Sequence, residues 1–269
     1  MLGKLIKYEF RATAIYFLPI YAVLVLISGM NYAIGLISNR FHSAYSTFAT
    51  FSLSSVYMLL ALGLAITTFL VIIIRFYKNL LGTEGYLMFT LPVSVEENIL
   101  AKLIPSIVWF LGSGILGMLT ITPAMGLRMS DNPFISMFSS FSIKNIPELL
   151  LVFLFIVGCL ATSFLFYYLC MCIGQMFNSH RFLASAGAYI GIQAVLQVGS
   201  VLSVWALASR LSDISVAAWL SRTFAFLDTL PEDAFIYIVM GVACPVVFVI
   251  AAALFFIDSA ILRKKLNLI

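Results

Sequence analysis

Residues 53–74 read LSSVYMLLALGLAITTFLVIII, twenty-two positions without a charged side chain, closed by Arg75. A helix needs about 20 predominantly apolar residues to cross the hydrocarbon of a bilayer. The stretch free of Asp, Glu, Lys and Arg reaches back to position 41, and five more lie at 12–39, 103–127, 149–180, 182–209 and 234–257. Each of the six runs is 24 to 34 residues long. They are continuously apolar, unlike the ~10-residue alternating strands of a membrane β-barrel. Over all 269 residues, 63% are hydrophobic and 10% charged, against roughly 25% charged in average globular chains. Soluble enzymes, nucleic-acid readers, disulfide scaffolds and disordered chains are excluded. The fold class is all-α: a polytopic membrane protein with six transmembrane helices near 15–37, 53–74, 103–126, 149–177, 183–208 and 234–258. The remaining loops are too short for a soluble domain, so residues 1–269 read as a single transmembrane domain.

The charges map the topology. With the N-terminus inside, the cytoplasmic side holds Lys4, Lys7, Arg11, Arg75, Lys78, Lys102, Arg181, Arg263, Lys264 and Lys265, ten basic residues. The outer side holds five, Arg40, Arg128, Lys144, Arg210 and Arg222. This bias follows the positive-inside rule and predicts both termini in the cytoplasm. A net charge of +4, scattered as topology anchors, predicts no nucleic-acid partner. Three basic residues precede the first apolar run, as in a signal peptide. That run is too long for such a peptide and lacks a small-residue cleavage site, so it is expected to be retained. Cys159, Cys170, Cys172 and Cys244 all fall in apolar runs. Cys170 and Cys172 point about 200° apart on a helix, and the four read as small hydrophobes.

Four segments outside the spans carry information. At 100° per residue, Lys4, Lys7 and Arg11 gather on one side of residues 2–13, with Leu2, Leu5, Ile6 and Phe10 opposite. This predicts an N-terminal interfacial amphipathic helix. Glu9 sits in the middle of its apolar side, either snorkelling to the headgroups or anchoring against a neighbouring subunit or helix. In the loop 75–102, Leu80, Glu84, Leu87 and Leu91 share one helical face, giving a surface helix over about 80–91. Pro92 stops it, and Ser94-Val-Glu-Glu97 reads as a capping box for the next helix, with Ser94 as N-cap. Between spans five and six, Val216, Leu220, Phe224 and Leu227 form a stripe with Ser215, Ala218 and Arg222 largely opposite. Trp219 suits the aromatic belt, so this outer segment reads as an amphipathic or re-entrant helix. The turn Asn178-Ser-His-Arg181 is a small contact at most.

This layout, with Gly82-Thr-Glu-Gly-Tyr-Leu-Met-Phe-Thr-Leu-Pro-Val-Ser94 followed by Lys102, resembles the permease subunit of an ABC-2-type exporter. The opening Lys7-Tyr-Glu-Phe-Arg-Ala-Thr13 and the closing Ile261-Leu-Arg-Lys-Lys-Leu-Asn-Leu268 resemble a Gram-positive group of such permeases. The chain departs from that group at Glu96 and Glu97, where many members carry a basic residue after Val-Ser. The resemblance implies a cytoplasmic coupling helix, with Glu84, Leu87, Leu91, Pro92 and Lys102 as the ATPase-coupling element. It further implies a separate ABC ATPase subunit holding ATP-Mg, a second permease subunit (identical or related), export, and the plasma membrane of a bacterium. The chain itself would bind no cofactor. An apolar cleft lined by Phe, Tyr and Met suits an amphipathic peptide, drug or lipid-like substrate. Prolines 19, 105, 123 and 245 fall within or at the ends of spans, where kinks are tolerated.

Other readings are weaker. Glu96-Glu97 resembles the glutamate pair of membrane CAAX-type proteases, but no Arg follows closely, and His42 and His180 lie in loops on opposite sides. Gly112-Ser-Gly114 resembles a rhomboid nucleophile site without a histidine base. Gly112, Gly114 and Gly117 are better explained as close helix packing. Metal ligands are too few, and no Gly-x-x-x-x-Gly-Lys-Ser/Thr loop is present. The chain is therefore not expected to be an enzyme. The span interiors carry no ionisable residue, with Glu148 and Asp258 only at span edges, which argues against an ion-coupled secondary transporter. A non-transporting immunity or assembly protein is the alternative from another class.

Overall fold

The computed structural model describes residues 1–41, 44–81, 93–139, 146–177, 181–210, 218, 221, 222, 225 and 231–264. Among them the structure is helical, with no strand. In chain order the helices are α1 (Leu2–Phe41), α2 (Ala44–Phe76), α3 (Val95–Ala124), α4 (Pro133–Ser139), α5 (Ile146–Gly174), α6 (Arg181–Arg210) and α7 (Glu232–Lys264). Six of these, all but α4, contain stretches long and apolar enough to cross a membrane. The expected spans 15–37, 53–74, 183–208 and 234–258 fall inside single helices. The other two overshoot slightly, as α3 ends at Ala124 and α5 at Gly174.

The chain divides into two compact units, Met1–Asn145 and Ile146–Ile269. In the first, α1 packs along both α3 and α2, and α2 also touches α3. The basic segment 2–13, expected as an interfacial helix, is the opening of α1, which runs uninterrupted to Phe41. Forty residues span about 60 Å at 1.5 Å each, about twice the hydrocarbon thickness. Along this opening Lys4, Lys7 and Arg11 are exposed and Glu9 is buried. α2 passes directly into a π-helical turn, Tyr77–Leu81, whose Leu80 and Leu81 are buried.

Ser94 caps α3 as its sequence foretells, its hydroxyl accepting from the Glu97 N–H at 3.2 Å. At the other end Gly126 adopts φ 71°, the left-handed region that favours glycine. There Gly126 lies against Gly35 of α1 so closely that a Cβ on Gly35 would stand 2.4 Å from the Gly126 carbonyl oxygen. Buried Asn132 then caps α4, its Oδ1 accepting from the Phe134 N–H at 2.9 Å, while its Nδ2 donates to the Met118 carbonyl at 2.9 Å.

In the second unit α5 is the middle helix, with α7 and α6 packed against it. The α5–α7 contact uses small residues that let backbones approach. A Cβ on Gly158 would meet Val247 Cγ1 at 3.0 Å, and the neighbouring Thr162 hydroxyl reaches the Val247 carbonyl at 3.4 Å. Gly174 makes the same kind of approach to Ser185 of α6. The Tyr167 and Tyr189 rings stack between α5 and α6, 5.6 Å apart. All four cysteines are free.

Candidate functional site

α1 carries Glu9, Thr13, Phe17, Tyr21, Leu24, Ser28 and Asn31 at steps of three and four, which places them on one helical face. That face turns into the first unit, where Phe17, Leu24, Tyr57, Leu64 and Ala124 form the apolar core. The polar members of the face each find a partner on α2 or α3, in rungs spaced along almost the whole helix.

The first rung is ionic. Glu9 Oε2 pairs with Arg75 Nε at 3.0 Å, and Oε1 accepts from Asn79 Nδ2 at 3.3 Å and from Lys102 Nζ. Three helices thus converge on one carboxylate: α1, the end of α2 with the π-helical turn that follows it, and the start of the third turn of α3. Lys102 keeps only 3% of its side chain exposed and Arg75 23%. Two cations against one carboxylate leave the cluster one positive charge in excess. Removing one member of a buried pair costs about 3–5 kcal/mol, because the other charge is stranded.

Above it, the Trp109 indole N–H donates to the Thr13 hydroxyl at 2.7 Å. Trp109 also stacks on Phe17 with centroids 4.6 Å apart. Next, the Tyr21 and Ser113 hydroxyls meet at 2.8 Å, and Thr68 joins Ser113 at 3.2 Å. Higher still, Ser28 donates to the Thr120 carbonyl at 2.9 Å, and the Tyr57 and Thr120 hydroxyls meet at 2.8 Å. The last rung is Asn31, whose amide donates to Ser54 Oγ at 3.0 Å, to the Thr50 carbonyl at 3.3 Å and to the Ala124 carbonyl. In lipid, such bonds replace contacts that water would otherwise provide, and they average ~0.6 kcal/mol each. The result is a polar seam through an apolar three-helix unit, ionic at one end and uncharged along the rest.

Two hollows adjoin the ionic end. A small cavity of about 20 Å³ is lined by Glu9, Thr13, Lys102, Ser106 and Trp109, among others. It has about the room one water molecule needs. A wider, open groove of about 390 Å³ lies between the start of α1 and the end of α2, lined by Leu5, Tyr8, Glu9, Arg11, Ala12, Arg75 and Asn79.

The cluster brings together Glu9 and Lys102, which the sequence assigned to different elements. It also recruits Arg75, read there only as a topology charge, and Asn79, which the sequence did not single out. Lys4, Lys7 and Arg11 stay outside it, on the exposed side of α1. Glu84, Leu87, Leu91 and Pro92 of the expected coupling helix lie outside the described residues, as do Val216, Trp219, Leu220 and Phe224 of the expected outer helix. The seam itself went unread, although its three- and four-residue spacing on α1 was the available signal.

The chain matches no family model, no curated protein and no solved structure.

In the second unit, Asp258 of α7 is fully buried, and neither carboxyl oxygen has a hydrogen-bond partner among the described residues. The sequence had placed it at a span edge, in solvent or paired with a helix end. Among the described residues, no group of three or more His, Cys, Asp and Glu comes together as a metal site would need.

Proposed function

We propose that this chain is the permease subunit of an ATP-driven ABC-2-type exporter. It forms the translocation path and takes its energy from a separate ATPase subunit holding ATP-Mg. The observation that carries the reading is the Glu9–Arg75–Lys102 cluster. Asn79 stands two residues before Leu81, where the π-helical turn ends, and Lys102 is the eighth residue of α3. The segment 82–92, which carries the proposed coupling residues Glu84, Leu87, Leu91 and Pro92, therefore starts and finishes close along the chain to one ionic junction. A push on that segment would have α1, α2 and α3 as a bonded recipient.

In this reading two permease subunits, identical or related, pair in the plasma membrane with both termini in the cytoplasm. An amphipathic peptide, drug or lipid-like molecule passes through them. The deciding experiment replaces Leu87 and Leu91 with Asp and measures substrate export and ATPase stimulation in the co-purified complex. Both should fall to near background while the chain still inserts. Normal values for both would remove the coupling assignment. Stable purification with no co-eluting ATPase, and function independent of ATP, would instead favour a non-transporting immunity or assembly protein.

A further inference from the structure

We propose that the groove between the start of α1 and the end of α2 binds the headgroup of a single anionic phospholipid. The proposal stands on geometry and charge in the first unit and does not depend on the exporter reading.

The groove's volume of about 390 Å³ falls in the range of small-molecule pockets, roughly 300–1,000 Å³. Its polar lining is Glu9, Arg11, Arg75 and Asn79. Both oxygens of Glu9 are already engaged, by Arg75 and by Asn79 with Lys102. The carboxylate is thus neutralised from within, and the cations around it outnumber it. Arg75 uses its Nε for Glu9, which leaves the terminal nitrogens of a five-donor fork. Arg11 is exposed and makes no hydrogen bond or ion pair among the described residues. Guanidinium groups are suited to phosphate oxygens, which they grip by paired N–H donors.

The rest of the lining says which phosphate. Leu5, Tyr8 and Ala12 form the apolar wall, and at steps of three and four the same face of α1 continues to Ile15 and Tyr16. Ile15 and Tyr16 are 71% and 52% exposed. An anion held by Arg11 and Arg75 would have an apolar rail leading away from it along a helix that enters the bilayer. A free phosphate would use none of that surface, whereas a lipid uses both parts. An adjacent basic side chain contributes about 1 kcal/mol toward an anionic membrane, roughly fivefold in affinity.

The test is native mass spectrometry of the full-length purified protein in detergent. It is supplied with phosphatidylglycerol, phosphatidylcholine or inorganic phosphate at matched concentration. One phosphatidylglycerol per chain should be retained at least about fivefold better than phosphatidylcholine. Arg11→Ala should lower that retention about fivefold, and Ala12→Trp, which fills the groove, should abolish it. Lys4→Ala and Lys7→Ala, on the same helix but outside the groove, should leave it unchanged. Equal retention of the two lipids overturns the proposal, as does an equal loss in Lys7→Ala and Arg11→Ala, which would mean diffuse attraction. Displacement of the lipid by millimolar inorganic phosphate would overturn it in favour of a free-anion site.

Discussion

Trp109 of α3 hands its indole N–H to the hydroxyl of Thr13 on α1, 2.7 Å away. The hydroxyl is spoken for on its other side, since it donates to the Glu9 carbonyl one turn earlier, also at 2.7 Å. Thr13 is therefore acceptor for one helix and donor within its own. The Thr13→Val variant keeps the shape and removes both roles, leaving the indole N–H without an acceptor beside Phe17. The expected loss is about 1 kcal/mol, visible as a lower melting temperature in detergent. Thr13→Ser should melt close to the parent. If Val and Ser behave alike, the bond contributes nothing.

Glu9 and Lys102 call for a double-variant cycle. Glu9→Leu takes away the carboxylate facing Lys102, whose side chain is only 3% exposed, and should cost about 3 kcal/mol. Arg75, at 23% exposure, can lift its guanidinium toward water along its apolar stem. Adding Lys102→Met to Glu9→Leu should therefore recover most of the lost stability. Strict additivity of the two single losses in thermal unfolding would show that the pair is not coupled.

Glycine-to-alanine changes should have opposite signs at two positions. Gly35 has the Gly126 carbonyl oxygen 2.4 Å from where its Cβ would be, and that neighbour is backbone. Overpacking of this kind costs about 1–3 kcal/mol. Gly63, in the middle of α2, has nothing within 4 Å of its would-be Cβ. Alanine there should stabilise by up to about 1 kcal/mol through helix propensity. A melting series of the two variants checks the approach of α1 to the α3 turn directly. A stable Gly35→Ala chain would contradict it.

Asp258 offers a prediction of gain. A fully buried carboxyl without a hydrogen-bond partner among the described residues carries a desolvation cost of about 1–3 kcal/mol or more. The Asp258→Val variant, near in volume and apolar, should raise the melting temperature. Stability unchanged or lowered would mean that the carboxyl is held by contacts that α5 and α7 do not supply.

The charge-free runs made the six helices legible because helix length and hydrophobicity are local properties, written in consecutive residues. The N-cap at Ser94 was equally local, and its bond is there. A boundary between segment 2–13 and the first span was expected from the change in composition after Arg11. Composition does not end a helix, however, and no Gly or Pro lies between Arg11 and Leu18, so α1 continues past that point. Glu9 was recognised as a carboxylate on the wrong face, with a neighbouring helix as one possible anchor. Its partners stand 66, 70 and 93 residues away, and nothing near Glu9 in the chain points to them. In the sequence Ser28, Asn31, Ser113 and Thr120 are single polar residues in apolar runs. Only the arrangement of three helices turns them into rungs.

The unbroken course of α1 has a mechanical consequence. Glu9 and Asn31 are 22 residues apart, about 33 Å along one continuous helix that carries Pro19 between them. With the helix pivoting at its ionic end, a tilt of about 10° would sweep the Asn31 end through roughly 6 Å, a full helical turn of travel. The hydrogen bonds along the way tie α2 and α3 to that swing. A small angular displacement at one face of the membrane would thus arrive at the other as a large linear one, with α1 as the lever arm.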